Sequence, residues 1–298
     1  MKPKLPSRSR VLRWIVALIV IAVVALYIGL PVAMGIAASF PAKEAVGSPP
    51  DGFETVALST GDGVTLAGWY RPPTNGAAII LLHGAGGSRE GMRPYAEMLV
   101  AHGYGVLAVD LRGHGMSGGT TNRLGWRGTP DVEAAVAYLQ SRPEVNRIGG
   151  LGSSMGGEVL LGAAAEYPAL TAIVADGATR RSLDELLALP EERPLVRNFT
   201  ARVMFATVQV LTGDAPPRPL LDSMVAATST RFLLIAGGAN ALEVQFNGLF
   251  AATAGERAAL WIAPDAAHTG AFGLYRDEYE QRVIAFFDTQ LSGGPAPE

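Results

Sequence analysis

Residues 148–157 read IGGLGSSMGG, and within them Gly152-Ser153-Ser154-Met155-Gly156 has the form G-x-S-x-G. A serine in such a run can act as a nucleophile when it sits on a tight strand-to-helix turn. The turn lifts the hydroxyl clear of the backbone, and the glycines let neighbouring chain pass close by. The apolar residues before Ser154 and the helical pattern from Met155 supply that context. The same turn puts the backbone N–H of Met155 at a helix N-terminus, where negative charge developing on a carbonyl oxygen is stabilised. A Gly/Ser-rich helix entry can also arise with no chemistry attached, so the surrounding elements carry the distinction. Ser153 fails the spacing, because Leu151 and Met155 stand two residues either side of it.

A serine hydroxyl is a weak nucleophile until a base takes its proton, and histidine suits that role near neutral pH. The chain has four histidines. His268 lies in APDAAHTG, after the last apolar run and before the last helical pattern, downstream of the serine as the order Ser…acid…His requires. It is assigned as the base. His83 opens HGAGG directly after AAIILL, and the glycines allow backbone N–H groups to face an oxyanion. Ala85, assisted by Gly84, is therefore assigned to an oxyanion hole beside Met155, and His83 to shaping the loop. His114, in DLRGHGMSGG, reads as a hydrogen-bonded loop residue, and His102, next to Gly103, as a helix C-terminal cap.

Short apolar runs alternate with longer helical patterns. Phe53–Ser59 and Val64–Tyr70 flank Gly61-Asp62-Gly63 as a hairpin, and Ala77–Leu82 suits a strand buried on both faces. Further strands are predicted at Val106–Val109, Ile148–Leu151, Ala172–Ala175, Phe232–Ala236 and Leu260–Ile262. Helical patterns fall near 92–102, 130–141, 155–166, 244–253 and 277–290. Such alternation implies an α/β fold of parallel βαβ crossovers with helices on both faces of the sheet. Residues 177–230 break it with RSLDELLAL, RNFTARVMFATVQVLTG and a Pro-rich stretch, and are predicted to form a small helical cap insertion. Its Phe199, Val203, Phe205 and Val208 could face a lipid-like substrate or the membrane; they could equally be the buried stripe of a helix.

The first forty residues have a different character. Residues 1–13 carry Lys2, Lys4, Arg8, Arg10 and Arg13 without an acid, and no charge follows from Trp14 to Ala42. A helix over 14–40 could cross about 30 Å of hydrocarbon. The basic tail would stay cytoplasmic, which puts the globular part on the extracytoplasmic side. A cleaved secretory signal is the alternative, but the apolar run exceeds the usual signal core. Residues 41–52 read as a Pro/Gly linker, 53–290 as the folded domain and 291–298 as a flexible tail. Removing the five tail cations from 24 Lys and Arg leaves 19 against 27 Asp and Glu, which argues against nucleic-acid binding. The absence of cysteine excludes disulfides and a cysteine nucleophile.

HGAGGS (83–88), DLRGHGMS (110–117), GSSMGG (152–157) and the late His268 resemble the α/β-hydrolase superfamily over roughly residues 53–290. The resemblance implies a mostly parallel eight-stranded twisted sheet, a Ser–His–acid triad and no cofactor. It implies no particular substrate. The family's acid commonly follows the strand placed at Phe232–Ala236, in a G-x-x-D turn. Here that turn is Gly237-Gly238-Ala239-Asn240, with Asn where Asp is expected. Glu243, three residues on, is the nearest carboxylate and is taken as the acid, with Asp176 in VADG as the alternative. Asp265 is close in sequence to His268 but need not point back to it, and Asn240 could itself orient the ring. The expected reaction is hydrolysis of a carboxylic ester, small or lipid-like, through an acyl-enzyme. Peptidase and thioesterase activities remain open on the same apparatus, as does a non-catalytic binding protein.

Overall fold

In the computed structural model, residues 8–40, 42–120, 123–189 and 195–291 are described. Residues 1–7 of the basic tail, Pro41 of the linker and 292–298 of the C-terminal tail lie outside them. The apolar runs form eight strands: β1 (Glu54–Ser59), β2 (Thr65–Arg71), β3 (Ala77–Leu82), β4 (Gly105–Val109), β5 (Arg147–Ser153), β6 (Leu170–Asp176), β7 (Arg231–Gly237) and β8 (Ala258–Ala263). They join in the order β1-β2-β4-β3-β5-β6-β7-β8. β2 runs antiparallel to β1 and β4, and every other pairing is parallel. β3 and β4 are buried along their whole length, as central strands covered on both faces must be.

The helices in chain order are α1 (Arg8–Val24), α2 (Leu30–Ser39), α3 (Arg93–Ala101), α4 (Thr129–Gln140), α5 (Met155–Ala163), α6 (Leu183–Leu187), α7 (Leu195–Thr212), α8 (Leu220–Ala226), α9 (Ala241–Ala254), α10 (Ala271–Leu274) and α11 (Arg276–Leu291). A π-type turn at Ala25–Gly29 joins α1 to α2, making one apolar helical stretch over Arg8–Ser39. Strand side chains alternate between faces. Ile79, Leu81, Leu151, Val174 and Ile235 share one core with Tyr95 and Leu99 on one flank and Tyr279, Val283 and Phe287 of α11. α4, α5 and α9 also pack on the sheet.

Two units are formed. One holds Phe40–Leu189 and Ala215–Glu298, including the whole sheet; the other holds Met1–Ser39 and Pro190–Asp214. The interval read as one cap insertion is thus divided: α6 and α8 belong with the sheet, whereas α7 packs on α2 in the other unit.

The parallel register brings the ends of β3, β5, β6, β7 and β8 to one edge, pairing Leu82 with Gly152, Ser153 with Asp176, and Gly237 with Ala263. Strand-to-helix loops at such an edge are where an α/β sheet assembles a site. Close backbone approach holds the loop after β5 in place. A Cβ on Gly152 would lie 2.3 Å from the carbonyl carbon of Gly156, and one on Gly156 would lie 2.2 Å from the carbonyl oxygen of Leu82. Gly248 in α9 has nothing within 4 Å. Gly156→Ala is expected to cost about 3 kcal/mol or more, because backbone cannot yield to the added methyl. Gly248→Ala should instead stabilise by about 0.5–1 kcal/mol through helix propensity. Urea unfolding of the two variants beside the wild type checks the contrast.

Candidate active site

Ser154 sits between β5 and α5 with φ 49° and ψ −116°, outside the regions a non-glycine residue ordinarily occupies. Strain of this kind persists only where the surroundings enforce it, and it commonly marks functional positions. The Ser154 N–H donates to the Asp176 carbonyl at 2.7 Å, and its carbonyl accepts from the Glu158 N–H as α5 begins. Met155 is the first residue of α5, so its N–H points out of the helix start with no carbonyl four residues back in the helix. A Cβ on Gly84 would lie 3.5 Å from the Ser154 Cβ, which sets the loop of Gly84 and Ala85 against the serine.

His268 follows β8. Its Nε2 lies 2.9 Å from the Ser154 Oγ, and its Nδ1 lies 2.5 Å from Glu243 Oε1. An ionised carboxylate can only accept, so the Nδ1–H donates to Glu243 and Nε2 keeps its lone pair for the serine hydroxyl. Glu243 is fully buried, while the imidazole is 48% exposed. The Gly237 N–H donates to Glu243 Oε2 at 2.8 Å, and Asn240 Nδ2 donates to Oε1 at 2.8 Å. The hydrogen bond to Glu243 raises the His268 pKa above its ordinary 6.5, opposed by partial burial. Thr269, just beyond, has φ 53°, a costly conformation for a β-branched residue. Gly177 faces it at φ 72°, and a Cβ there would lie 2.7 Å from the Thr269 methyl and 3.3 Å from His268 Cε1. Glycine is required there, both for the dihedral and for the space.

Of the three carboxylates considered from sequence, Glu243 is the one hydrogen-bonded to the imidazole. Asp176 has the strand parity of Ala172 and Val174, whose side chains join the α11 face of the core. It is fully buried and its oxygens close no hydrogen bond of good geometry, with the Tyr279 hydroxyl as its polar neighbour. Burial pushes its carboxyl up to about 7; the Tyr279 hydroxyl opposes the rise, the Glu243 charge adds to it, and His268 opposes it. Asp265 contacts the Tyr275 hydroxyl at 3.5 Å. His83 accepts from the Leu111 N–H at Nε2 and donates from Nδ1 to the Gly84 carbonyl, which fixes a neutral ring bracing the loop of Gly84 and Ala85. Burial lowers its pKa to about 3. His114 is buried, with Nδ1 on the Arg112 carbonyl, and His102 caps α3 while its Nε2 meets Glu280.

Sequence reasoning missed two supporting residues, Glu158 and Asn247, and the capping role of Asn240. Asn240 is the N-cap of α9: its Oδ1 accepts from the N–H groups of Leu242 and Glu243. An Asn followed three residues later by Glu is a helix-start signature, and would have moved the predicted start from 244 to 241. Glu158, buried in α5, accepts from the N–H groups of Thr179 and Arg180 and from the Thr179 hydroxyl, pinning the loop after β6. Asn247 ties α9 to the Ala178 carbonyl. Only the fold tells which buried loop these two would meet.

The family model described as serine aminopeptidase, S33 matches residues 73–215. The uncharacterized protein Rv2307c of Mycobacterium tuberculosis is 33% identical over 204 residues, covering 61% of this chain and 70% of that one. The uncharacterized protein YfhR of Salmonella typhimurium is 28% identical over 265 residues, covering 85% and 87%. Among solved structures, the Pyrococcus furiosus esterase Pf2001 superposes with a TM-score of 0.68 at 27% identity, covering 85% of this chain and all of that one. The chain belongs to the α/β-hydrolase superfamily. It is a hydrolase of that fold, with Asn240 at the turn position where the superfamily commonly has Asp.

The geometry separates the two carboxylates experimentally. Glu243→Gln is expected to lower kcat by about 10³- to 10⁴-fold, by disfavouring the required tautomer and removing the charge that stabilises the imidazolium. Asp176→Asn, replacing a carboxyl already largely neutral below pH 7, should lower it far less. Steady-state kinetics on an activated ester reads both.

Proposed function

We propose that the protein is a serine hydrolase that cleaves carboxylic esters through an acyl-enzyme. Ser154 attacks the ester carbonyl as His268 Nε2 takes the hydroxyl proton, giving a tetrahedral oxyanion and an imidazolium. Glu243 holds the ring and stabilises its positive charge without itself being protonated. The N–H groups of Met155 and Ala85, with Gly84 beside them, receive the oxyanion. The imidazolium then protonates the leaving alcohol, and water releases the acid by the same steps in reverse order of roles. The observation that carries this reading is the continuous contact from Ser154 Oγ through both nitrogens of His268 to Glu243.

Ester substrates are favoured over peptides by the likeness to the esterase Pf2001, which covers all of that protein and 85% of this chain. The match to a model described as serine aminopeptidase supports the peptidase reading. The helical stretch over Arg8–Ser39, exposed and apolar, is read as a retained membrane anchor with the catalytic domain extracytoplasmic.

A fluorophosphonate probe should label the wild type and leave Ser154→Ala unlabelled; equal labelling of both would remove the assignment. A panel of p-nitrophenyl esters beside aminoacyl-p-nitroanilides then separates esterase from aminopeptidase. The pH profile adds a sign. His268 accepts a proton only when neutral, and Glu243 raises its pKa. The acid limb of kcat/KM is therefore expected above pH 6.5, and residual activity of Glu243→Gln should show that limb moved to lower pH.

A further inference from the structure

Helix α7 carries more exposed apolar surface than a helix packed only on a soluble domain would: Leu195 is 87% and Val210 83% exposed, with Phe199 and Leu211 also open. Leu195, Phe199, Ala206 and Val210 fall on one face at helical spacing, with exposed Arg202 along its edge. The hydroxyls of Thr200, Thr207 and Thr212 bond to carbonyls three or four residues back in the same helix, so they need no water. Arg197 and Arg202 are its only charged residues, and no acid accompanies them.

Its partner within the same unit is α2. Pro31 and Gly35 are the buried residues of α2, one turn apart, and Ser39 follows another turn on with its hydroxyl on the Gly35 carbonyl. A Cβ on Gly35 would lie 2.6 Å from the Thr207 Cβ and 2.8 Å from the Met204 carbonyl oxygen. Backbones that meet this closely over a small residue pair as helices do inside membranes, where packing rather than apolar burial drives association.

The level of the contact follows from length. A helix over Arg8–Ser39 is about 48 Å long at 1.5 Å per residue. The hydrocarbon core takes about 20 residues of it. Counted from Trp14, the first residue after the basic stretch, the far boundary falls near Met34 and Gly35, where α7 crosses.

We infer that α7 is a second membrane element, seated with α2 at the outer boundary of the bilayer, its apolar face in lipid and its two arginines among lipid phosphates. This rests on the reading of Arg8–Ser39 as a retained anchor. A segment that packs Gly35 against Thr207 of the same chain is a structural partner of the insertion, which a discarded signal would not be. Because α7 lies between β6 and β7 in the chain, its seating tethers the sheet-bearing unit to the membrane a second time. Arginine at an interface keeps its charge in the headgroup layer while its stem lies on the apolar side.

The chain has no cysteine, so single cysteines report without background. Full-length Ile21→Cys, Phe199→Cys, Val210→Cys and Val225→Cys, each labelled with an NBD dye, are reconstituted into phosphatidylcholine–phosphatidylglycerol vesicles containing shallow or deep nitroxide lipids. Labels at 199 and 210 should be blue-shifted and lose intensity to the shallow quencher, the label at 21 to the deep one, and the label at exposed Val225 in α8 to neither. Adding Gly35→Leu should release 199 and 210 from quenching and leave 21 unchanged. Gly35→Cys with Thr207→Cys should form an intramolecular disulfide on oxidation. Quenching at 21 with aqueous spectra at 199 and 210 overturns the inference and spares the anchor. Loss of quenching at 21 as well overturns the anchor reading itself. Disulfide dimers of Val210→Cys would show a second copy, not lipid, on that face, and would also overturn it.

Discussion

An imidazole can take a proton from a serine only if it is neutral, of the right tautomer and aimed at the hydroxyl. The tautomer and the aim depend here on the hydrogen bond from His268 Nδ1 to Glu243, which at the same time raises the ring's pKa and so sets the pH above which it is neutral. A buried carboxylate is costly unless its lone pairs are filled. Glu243 is supplied by three donors: the His268 ring, the Gly237 N–H and the Asn240 amide. The chain of dependence runs from the end of β7, through the first turn of α9, to the ring and then to Ser154. Ser154 at its end and Thr269 beside the ring have unusual dihedrals, with Gly84 packed close to the first and Gly177 to the second.

The same sheet edge is unusually rich in buried charge. The guanidinium of Arg89 meets Asp110, whose oxygens also accept from the N–H groups of Arg89 and Met116. Arg112 bridges Asp131 and Asp62. Such pairs add little net stability over well-packed apolar residues, yet removing one partner costs about 3–5 kcal/mol because the other charge is stranded. Arg89, Asp110 and Arg112 stand in the loops after β3 and β4, with Asp131 in α4 and the half-exposed Asp62 in the β1–β2 turn, and this placement fits a positioning role. Together with the His83–Leu111 bond they fix the backbone that carries Gly84 and Ala85.

Strand positions were legible because a two-residue alternation or a continuous apolar run leaves little choice of element. Ser154 and His268 were legible because glycine spacing and chain order constrain them. Glu243 was preferred to Asp176 as the nearer carboxylate but not fixed by any local pattern, since that choice turns on side-chain direction. Asp176 ends a strand whose parity sends it towards Tyr279, a fact that requires the register. The interval 177–230 looked like one insertion because composition reports helices, not their partners. That α7 packs on α2 depends on Gly35 and Thr207, which lie too far apart in the chain for any local pattern to link them.

The Asn at position 240 is best understood through the two roles an acid at that turn would combine. It would have to cap α9 with one oxygen and orient the imidazole with the other. Here the roles are split. Asn240 accepts from the helix N–H groups with Oδ1 and turns its Nδ2 towards Glu243. The charge has moved to the third residue of the helix, still within the first turn, where the N-terminal dipole favours it. Glu carries one more methylene than Asp, and that extra reach offsets the backbone displacement of one helical turn. A neutral cap also places no second anion against Glu243. Two adjacent buried carboxylates would repel one another, and an amide at 240 instead gives Glu243 a hydrogen-bond donor.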